Sequence, residues 1–332
     1  MNIAFVISES FCVVPYHGIK IQAQTWGMEL TRQGHTVTYV SPWDTQRWEQ
    51  YDVIHLFGYN ELIEDLGDLW KKNHNIVFSP IIDTKQNLFL YKLITYWGCN
   101  RLRLKSTNYN IRRAKPYIKH WYVRSKFEFE YVNKAYGVAK EDITIVRLSY
   151  KIAPPVRLAE KKDFCLHVSK LTDGRKNVLR LVKAAQKYKF NLVLAGSISS
   201  EEDFRPIRQI IESCTNISYL GRVSDERLLS LYHEAKVFAL PSINEGVGLV
   251  AVEAAACGCN IVVTNVGGPK EYYNGMAYEV DPLNSDEIGR AIVEALKDTR
   301  TQPDLQKYIL SNYSLESCVS LLAESYRELV QQ

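Results

Sequence analysis

Short apolar, β-branched runs alternate with helix-patterned stretches along almost the whole chain, and that rhythm leaves few architectures open. Strand candidates fall at 3–8, 36–40, 53–57, 75–78, 121–124 and 143–147. Strand–helix–strand order of this kind argues for an α/β fold with parallel sheets covered by helices on both faces. A helix beginning near Ile19 closes at Gln33-Gly34-His35, where Gly34 suits a left-handed cap. The rhythm breaks at Ile152-Ala153-Pro154-Pro155, because paired prolines continue neither a helix nor a central strand. It then restarts, with strands at 164–168, 191–195, 217–220, 237–240, 260–264 and 276–280 and helices at 177–187, 203–213, 224–235 and 249–257. A chain of 332 residues also exceeds what one core usually organises. The expectation is two domains, 1–153 and 154–312. A final amphipathic helix at 313–332 puts Leu315, Val319, Leu322, Tyr326 and Leu329 on one face and packs back toward the first domain.

The bulk properties exclude several classes. A net charge of +4 is too small a basic excess for a nucleic-acid binder. Seven cysteines, odd in number and without a Cys-x-x-Cys pair, argue against a disulfide framework or structural zinc and for a reducing compartment. Cys257 and Cys259 read as small buried residues. The amino terminus, Met-Asn-Ile-Ala-Phe-Val-Ile-Ser, reads as a first strand and not a signal peptide. No apolar run approaches the ~18–20 residues that span a bilayer. The expected location is cytoplasmic, with the inner membrane face as an attachment surface.

The informative segment runs from Gly221 to Glu271. A buried strand ends at Pro241, and the chain turns through Ser242-Ile243-Asn244-Glu245-Gly246-Val247-Gly248 into a helix carrying Glu253. Gly246 and Gly248 permit a tight turn and a close approach to a ligand. The first amides of the new helix lack internal partners and suit a diphosphate. Glu253 stands in Leu-Val-Ala-Val-Glu-Ala-Ala-Ala-Cys, a helix apolar on nearly every face. A carboxylate buried there costs several kcal/mol unless hydrogen bonds meet it. Ribose hydroxyls are suitable donors; a solvated edge of the helix is the alternative. Glu245 either accepts from sugar hydroxyls or caps the helix.

Glu245 and Glu253 with seven residues between them, Pro241-Ser242 before and Gly258 after, closely resemble the paired-glutamate motif of retaining GT-B glycosyltransferases, the family-four group. The likeness extends over roughly 160–280 through Lys176-Asn177, Ala195-Gly196, Gly221-Arg222-Val223, Leu231-Tyr232 and Gly267-Gly268 with Glu271. The first half matches more loosely, at Gly34-His35, Asp52-Val53-Ile54-His55, and Ser125 with Tyr136-Gly137. The resemblance implies two Rossmann-like domains facing across a cleft, and a nucleoside-diphosphate sugar (UDP or GDP among the nucleotides) as donor. Glu253 would hold the ribose and Glu245 the donor sugar. The amides of Gly246, Val247, Gly248, Leu249 and Val250 would meet sugar and diphosphate, and Val223 the base. Gly18 would cover the pyrophosphate from the first domain. Lys170 and Lys176 would take the phosphates and stabilise the departing charge; without the resemblance both read as solvated surface lysines. The implied chemistry is metal-independent, retains anomeric configuration and needs no cofactor.

Three departures stand out. Gly18 is followed by Ile19 where the family has a second glycine. Ser169-Lys170 replaces Gly-Arg and loses the bidentate fork. The segment 77–83, Val-Phe-Ser-Pro-Ile-Ile-Asp, lacks the histidine that many members place near the sugar's sixth carbon. That loss fits either a donor altered at this carbon, such as a 6-deoxy sugar or a pentose, or an impaired activity. His17 and His55 are the nearest histidines and read as structural. The basic and aromatic stretch 101–134, with Arg101, Arg103, Lys105, Arg112, Arg113, Lys115 and Lys119, reads either as a solvated face or as a contact with anionic lipid or a lipid-diphosphate acceptor. The functional expectation is sugar transfer to a glycan or lipid-linked acceptor in cell-surface polysaccharide or glycoconjugate synthesis. The alternative is a non-catalytic GT-B-like subunit that binds a partner transferase or glycan.

Overall fold

A computed structural model describes residues 1–8, 18–40, 45–97, 106–152, 160–298 and 302–331. The chain divides into two compact units. The first comprises Met1–Ile82, Gln86–Leu148 and Leu315–Gln332, and the second Asp83–Lys85 and Ser149–Ser314. His17, Pro154 and Pro155 fall outside the described residues.

The first unit is built on β1 (Asn2–Ile7), α1 (Gly18–Arg32), β2 (Thr36–Tyr39), β3 (Val53–Phe57), α2 (Leu66–Trp70), β4 (Ile76–Ser79), α3 (Leu88–Tyr96), α4 (Thr107–Ala114), β5 (His120–Val123), α5 (Lys126–Ala135) and β6 (Ile143–Ile145). The six strands form one sheet, β2-β1-β3-β4-β5-β6, every pair parallel. β3 and β4 are buried at every position, as central strands covered on both faces must be. The helices begin where polar side chains meet orphan amides: Asn87, Ser106 and Ser125 each accept from an amide three residues on.

The second unit runs β7 (Lys162–Val168), α6 (Val178–Tyr188), β8 (Leu192–Ala195), α7 (Glu201–Glu212), β9 (Ile217–Tyr219), α8 (Asp225–Glu234), β10 (Ala235–Leu240), α9 (Leu249–Ala256), β11 (Asn260–Thr264), β12 (Tyr278–Val280), α10 (Ser285–Lys297) and α11 (Asp304–Asn312). Its sheet, again parallel, is ordered β12-β11-β10-β7-β8-β9. The order reverses between β7 and β10, and ligands of open α/β sheets bind outside the carboxyl ends of strands at such a switch point.

The last helix, α12 (Leu315–Gln331), belongs to the first unit and packs on α1. It buries Val319, Leu322, Tyr326 and Leu329 and is tied down by polar contacts. Tyr122 Oη lies 2.8 Å from Ser325 Oγ, and Lys119 Nζ donates to the Leu329 carbonyl at 2.6 Å. Tyr326 hydrogen-bonds His55 Nδ1, while His55 Nε2 lies 2.8 Å from Ser79 Oγ. His55 is fully buried and stacked on Phe57 at 4.0 Å, and burial pushes its pKa well down. Both ring nitrogens are occupied by partners inside the core.

Candidate functional site

The loops at the carboxyl ends of β7, β10, β11 and β12 converge at the switch point of the second unit. Asn177, in left-handed backbone at φ 61°, begins α6, and its side-chain amide donates to the carbonyls of Pro241 (2.9 Å) and Pro282 (2.6 Å). The Ile243 amide donates to the Arg175 carbonyl at 2.8 Å. These bonds lock the Lys176 loop against the Glu245 loop. A Cβ on Gly267 would lie 3.0 Å from the Glu245 carbonyl, so the loop after β11 closes on the same point.

Lys176 Nζ donates to Glu245 Oε2 in a partly buried ion pair, and Ser242 Oγ stands 3.4 Å from the same oxygen. Glu245 therefore does not cap α9. Gly248 holds that N-cap position without a side-chain bond, at φ +74°, where a Cβ would come within 2.6 Å of Leu240 Cδ2. The amides of Leu249 and Val250 open α9 with no carbonyl one turn back, and among the described residues they have no acceptor. Gly246, Val247 and Gly248 form the turn leading into them.

Glu253 lies one turn further along α9 and is 9% exposed. Tyr232 Oη, 3.3 Å from its Oε2, and the Lys151 amide donate to it, and the Lys151 charge lies nearby. Burial is the larger effect and raises the Glu253 pKa against all three. The residue is a desolvated acceptor with incomplete compensation.

At the end of β7, His167 Nδ1 lies 2.8 Å from the Ala239 carbonyl and Nε2 2.7 Å from Ser169 Oγ. A carbonyl only accepts, so Nδ1 carries the proton and the Ser169 hydroxyl donates to Nε2. Burial, aided by the nearby Lys176 charge, pushes His167 down to about 4. Lys170 follows Ser169, exposed and with no ion pair among the described residues. Gly196, at φ +140°, passes so close to this loop that a Cβ would sit 1.8 Å from the Ser169 carbonyl oxygen. Its amide donates to the Gly221 carbonyl at 2.8 Å, which draws in the loop bearing Val223, half-buried ahead of α8.

The structure thus brings together Lys176, Glu245 and the start of α9, with Glu253 on that helix. Gly18 belongs to the first unit, where it opens α1. Sequence reasoning missed the Lys151 amide, which meets Glu253 from a hundred residues away. It also missed Tyr273 and Asn244, whose buried hydroxyl and side-chain carbonyl have no partner among the described residues. The Tyr273 pKa is pushed well up by burial, and the Glu245 charge adds to the effect. None of the three has a local sequence signal.

The two parallel-sheet units define the GT-B class of glycosyltransferase folds. Residues 151–311 match the family model of the glycosyl transferases group 1. O-antigen chain mannosyltransferase B of Escherichia coli is 30% identical over 180 residues, covering 51% of this chain and 46% of that protein. The chain spans about half or less of the length of the curated relatives it matches. Among solved structures, sucrose-phosphate synthase from Thermosynechococcus elongatus superposes with a TM-score of 0.76 at 17% identity, covering 99% of both chains. HepE of Anabaena, in complex with UDP, gives 0.76 at 15% identity over 99% of this chain and 100% of that one.

Proposed function

We propose that this chain is a retaining glycosyltransferase that moves a sugar from a nucleoside diphosphate to a glycan or lipid-linked acceptor in cell-surface polysaccharide synthesis. The observation that carries the reading is Glu253, a desolvated carboxylate at the switch point of the group 1 domain, one turn into the helix whose free amides follow Glu245. Vicinal ribose hydroxyls supply the donors that Tyr232 and Lys151 only partly provide. Glu245, oriented by Lys176 and Ser242, accepts from donor-sugar hydroxyls.

In the reaction the bond from the anomeric carbon to the diphosphate oxygen breaks, and the acceptor oxygen bonds to that carbon on the same face. The acceptor proton passes to the departing phosphate oxygen. Lys170, Lys176 and the α9 amides stabilise the negative charge left on the diphosphate, in place of a metal ion. The likeness to a UDP-bound neighbour supports UDP as the first nucleotide to try, and the likeness to an O-antigen mannosyltransferase supports a polysaccharide acceptor.

The test is a thermal-shift and nucleotide-release panel with UDP-, GDP- and ADP-sugars. Ligand at ~100 times its dissociation constant adds about 2.7 kcal/mol of stability. The expected result is one stabilising nucleotide, acceptor-dependent release of it, and a product of retained configuration by NMR. Stabilisation by none of them refutes the donor site. Binding without release across varied acceptors favours the non-catalytic subunit, a reading supported by His55, whose two nitrogens are both engaged within the core.

A further inference from the structure

The charge of this chain is unevenly spread. Between residues 84 and 127 there are eleven lysines and arginines and no aspartate or glutamate, while the whole chain carries +4, so the remainder carries −7. Among the described residues, the same span holds the largest group of exposed apolar side chains on one helix. On α3, Phe89 (73% exposed), Leu90, Leu93 and Tyr96, with Trp97 (74%) at its C-cap, all face solvent. Tyr91 and Thr95 face the core. Lys92 lies within the exposed face. Next to it, the Arg112 guanidinium sits 4.4 Å from the centre of the Tyr96 ring, and a Cβ built on Gly137 would be 3.7 Å from both Tyr96 Oη and Lys115 Nζ. The apolar face is thus bordered by cations.

Phenylalanine, leucine, tyrosine and tryptophan on one side of a short helix, with lysine and arginine at the margin, is the composition of a segment that lies in a membrane–water interface. No helix among the described residues is long and apolar enough to cross a membrane, so the contact is with one leaflet. We propose that α3 is a docking element for an anionic lipid bilayer, its apolar face entering the interface and the surrounding basic side chains meeting lipid phosphates. The cations at the face decide between occupants: Arg112 and Lys115 border Tyr96, and Lys92 stands among the apolar side chains. In a pair of copies joined α3 to α3, those like charges would meet one another, whereas an anionic leaflet supplies both an apolar layer and negative charge. Each basic side chain near such a surface strengthens binding about fivefold. The proposal stands apart from the donor site, which lies in the other unit.

The experiment is co-sedimentation of the full chain with sucrose-loaded vesicles, of phosphatidylcholine alone or of equimolar phosphatidylcholine and phosphatidylglycerol, at low and raised salt. The expected result is salt-sensitive binding to the anionic vesicles, weakened on the order of tenfold or more in a Phe89→Ser/Leu93→Ser/Trp97→Ser variant. Lys92→Glu should weaken it as well. All four side chains are exposed, and unchanged melting and nucleotide binding verify that each variant is folded. Equal binding of wild type and triple variant, equal binding to both vesicle types, or no binding overturns the proposal. So does sedimentation equilibrium showing a wild-type dimer that the triple variant abolishes, which assigns the face to a second copy.

Discussion

Glu253→Gln separates the cost of Glu253 from its use. The amide keeps the shape and one acceptor oxygen but loses the charge. In the proposed complex two ribose hydroxyls donate to the carboxylate, and hydrogen bonds to a charged group are worth about 1.5–3 kcal/mol each. Replacing one of them by an amide N–H facing a hydroxyl removes about one such bond, which weakens nucleotide affinity about 10- to 150-fold. Apo stability moves the other way. Burial raises the Glu253 pKa above its unfolded value, so the folded chain binds this proton more tightly than the unfolded one. Wild-type stability therefore falls as pH rises from the ordinary glutamate range through the raised value, and stays lower above it. The glutamine variant has no such step. Calorimetric titration with UDP, together with melting curves from acid to neutral pH, should show a variant that binds weakly yet melts no lower than wild type at neutral pH. A dissociation constant that stays put refutes the ribose assignment. A variant that melts lower at neutral pH refutes the claim that Glu253 is under-compensated.

Other positions give independent checks. Lys176→Ala should lower kcat about 10²- to 10³-fold in a nucleotide-release assay by removing a cation from the departing diphosphate; an unchanged kcat would leave Lys176 as a mere partner of Glu245. Gly196→Ala places a Cβ 1.8 Å from the Ser169 carbonyl oxygen at φ +140°, and should cost more than about 2 kcal/mol in chemical denaturation. Buried His55 and His167 have pKa values below the ordinary 6.5, His167 at about 4. The unfolded chain then takes up these protons first, so each residue's stabilising effect is complete above pH 6.5 and is lost on acidification, at up to about 1.4 kcal/mol per pH unit. A His167→Gln variant that loses stability between pH 6.5 and 4.5 as steeply as the wild type contradicts the burial of His167 as a neutral ring.

The strands were legible because a parallel sheet buried on both faces demands near-continuous apolar runs, and 53–57 and 260–264 are such runs. Their order was not. Nothing local makes β1 pair with β3, or β7 with β10, since register comes from which apolar faces meet after the crossovers close. The site was legible to the same degree. Glu245 and Glu253 lie on one continuous segment, and spacing along a helix is a local property. The pairing of Lys176 with Glu245 and the Lys151 amide at Glu253 join segments separated by dozens of residues, so the sequence could offer Glu245 both as a sugar acceptor and as a helix cap. The structure removes the cap by giving that place to Gly248.

The α3 face was illegible for a related reason. Leu-Phe-Leu-Tyr-Lys-Leu-Ile-Thr-Tyr is as apolar as a core helix, and composition does not say which side of a helix turns inward. Attention falls instead on the arginines and lysines of 101–134, of which 101–105 lie outside the described residues. Arg124 in that stretch is bound into the buried pair with Glu128, whose carboxylate also receives the Ile82 amide, and Lys119 secures α12 through the Leu329 carbonyl. A basic run is therefore not a basic surface. Several of its charges do structural work inside the first unit, and the apolar side chains that mark the surface lie just ahead of the run, on a helix whose exposure only the packed sheet decides.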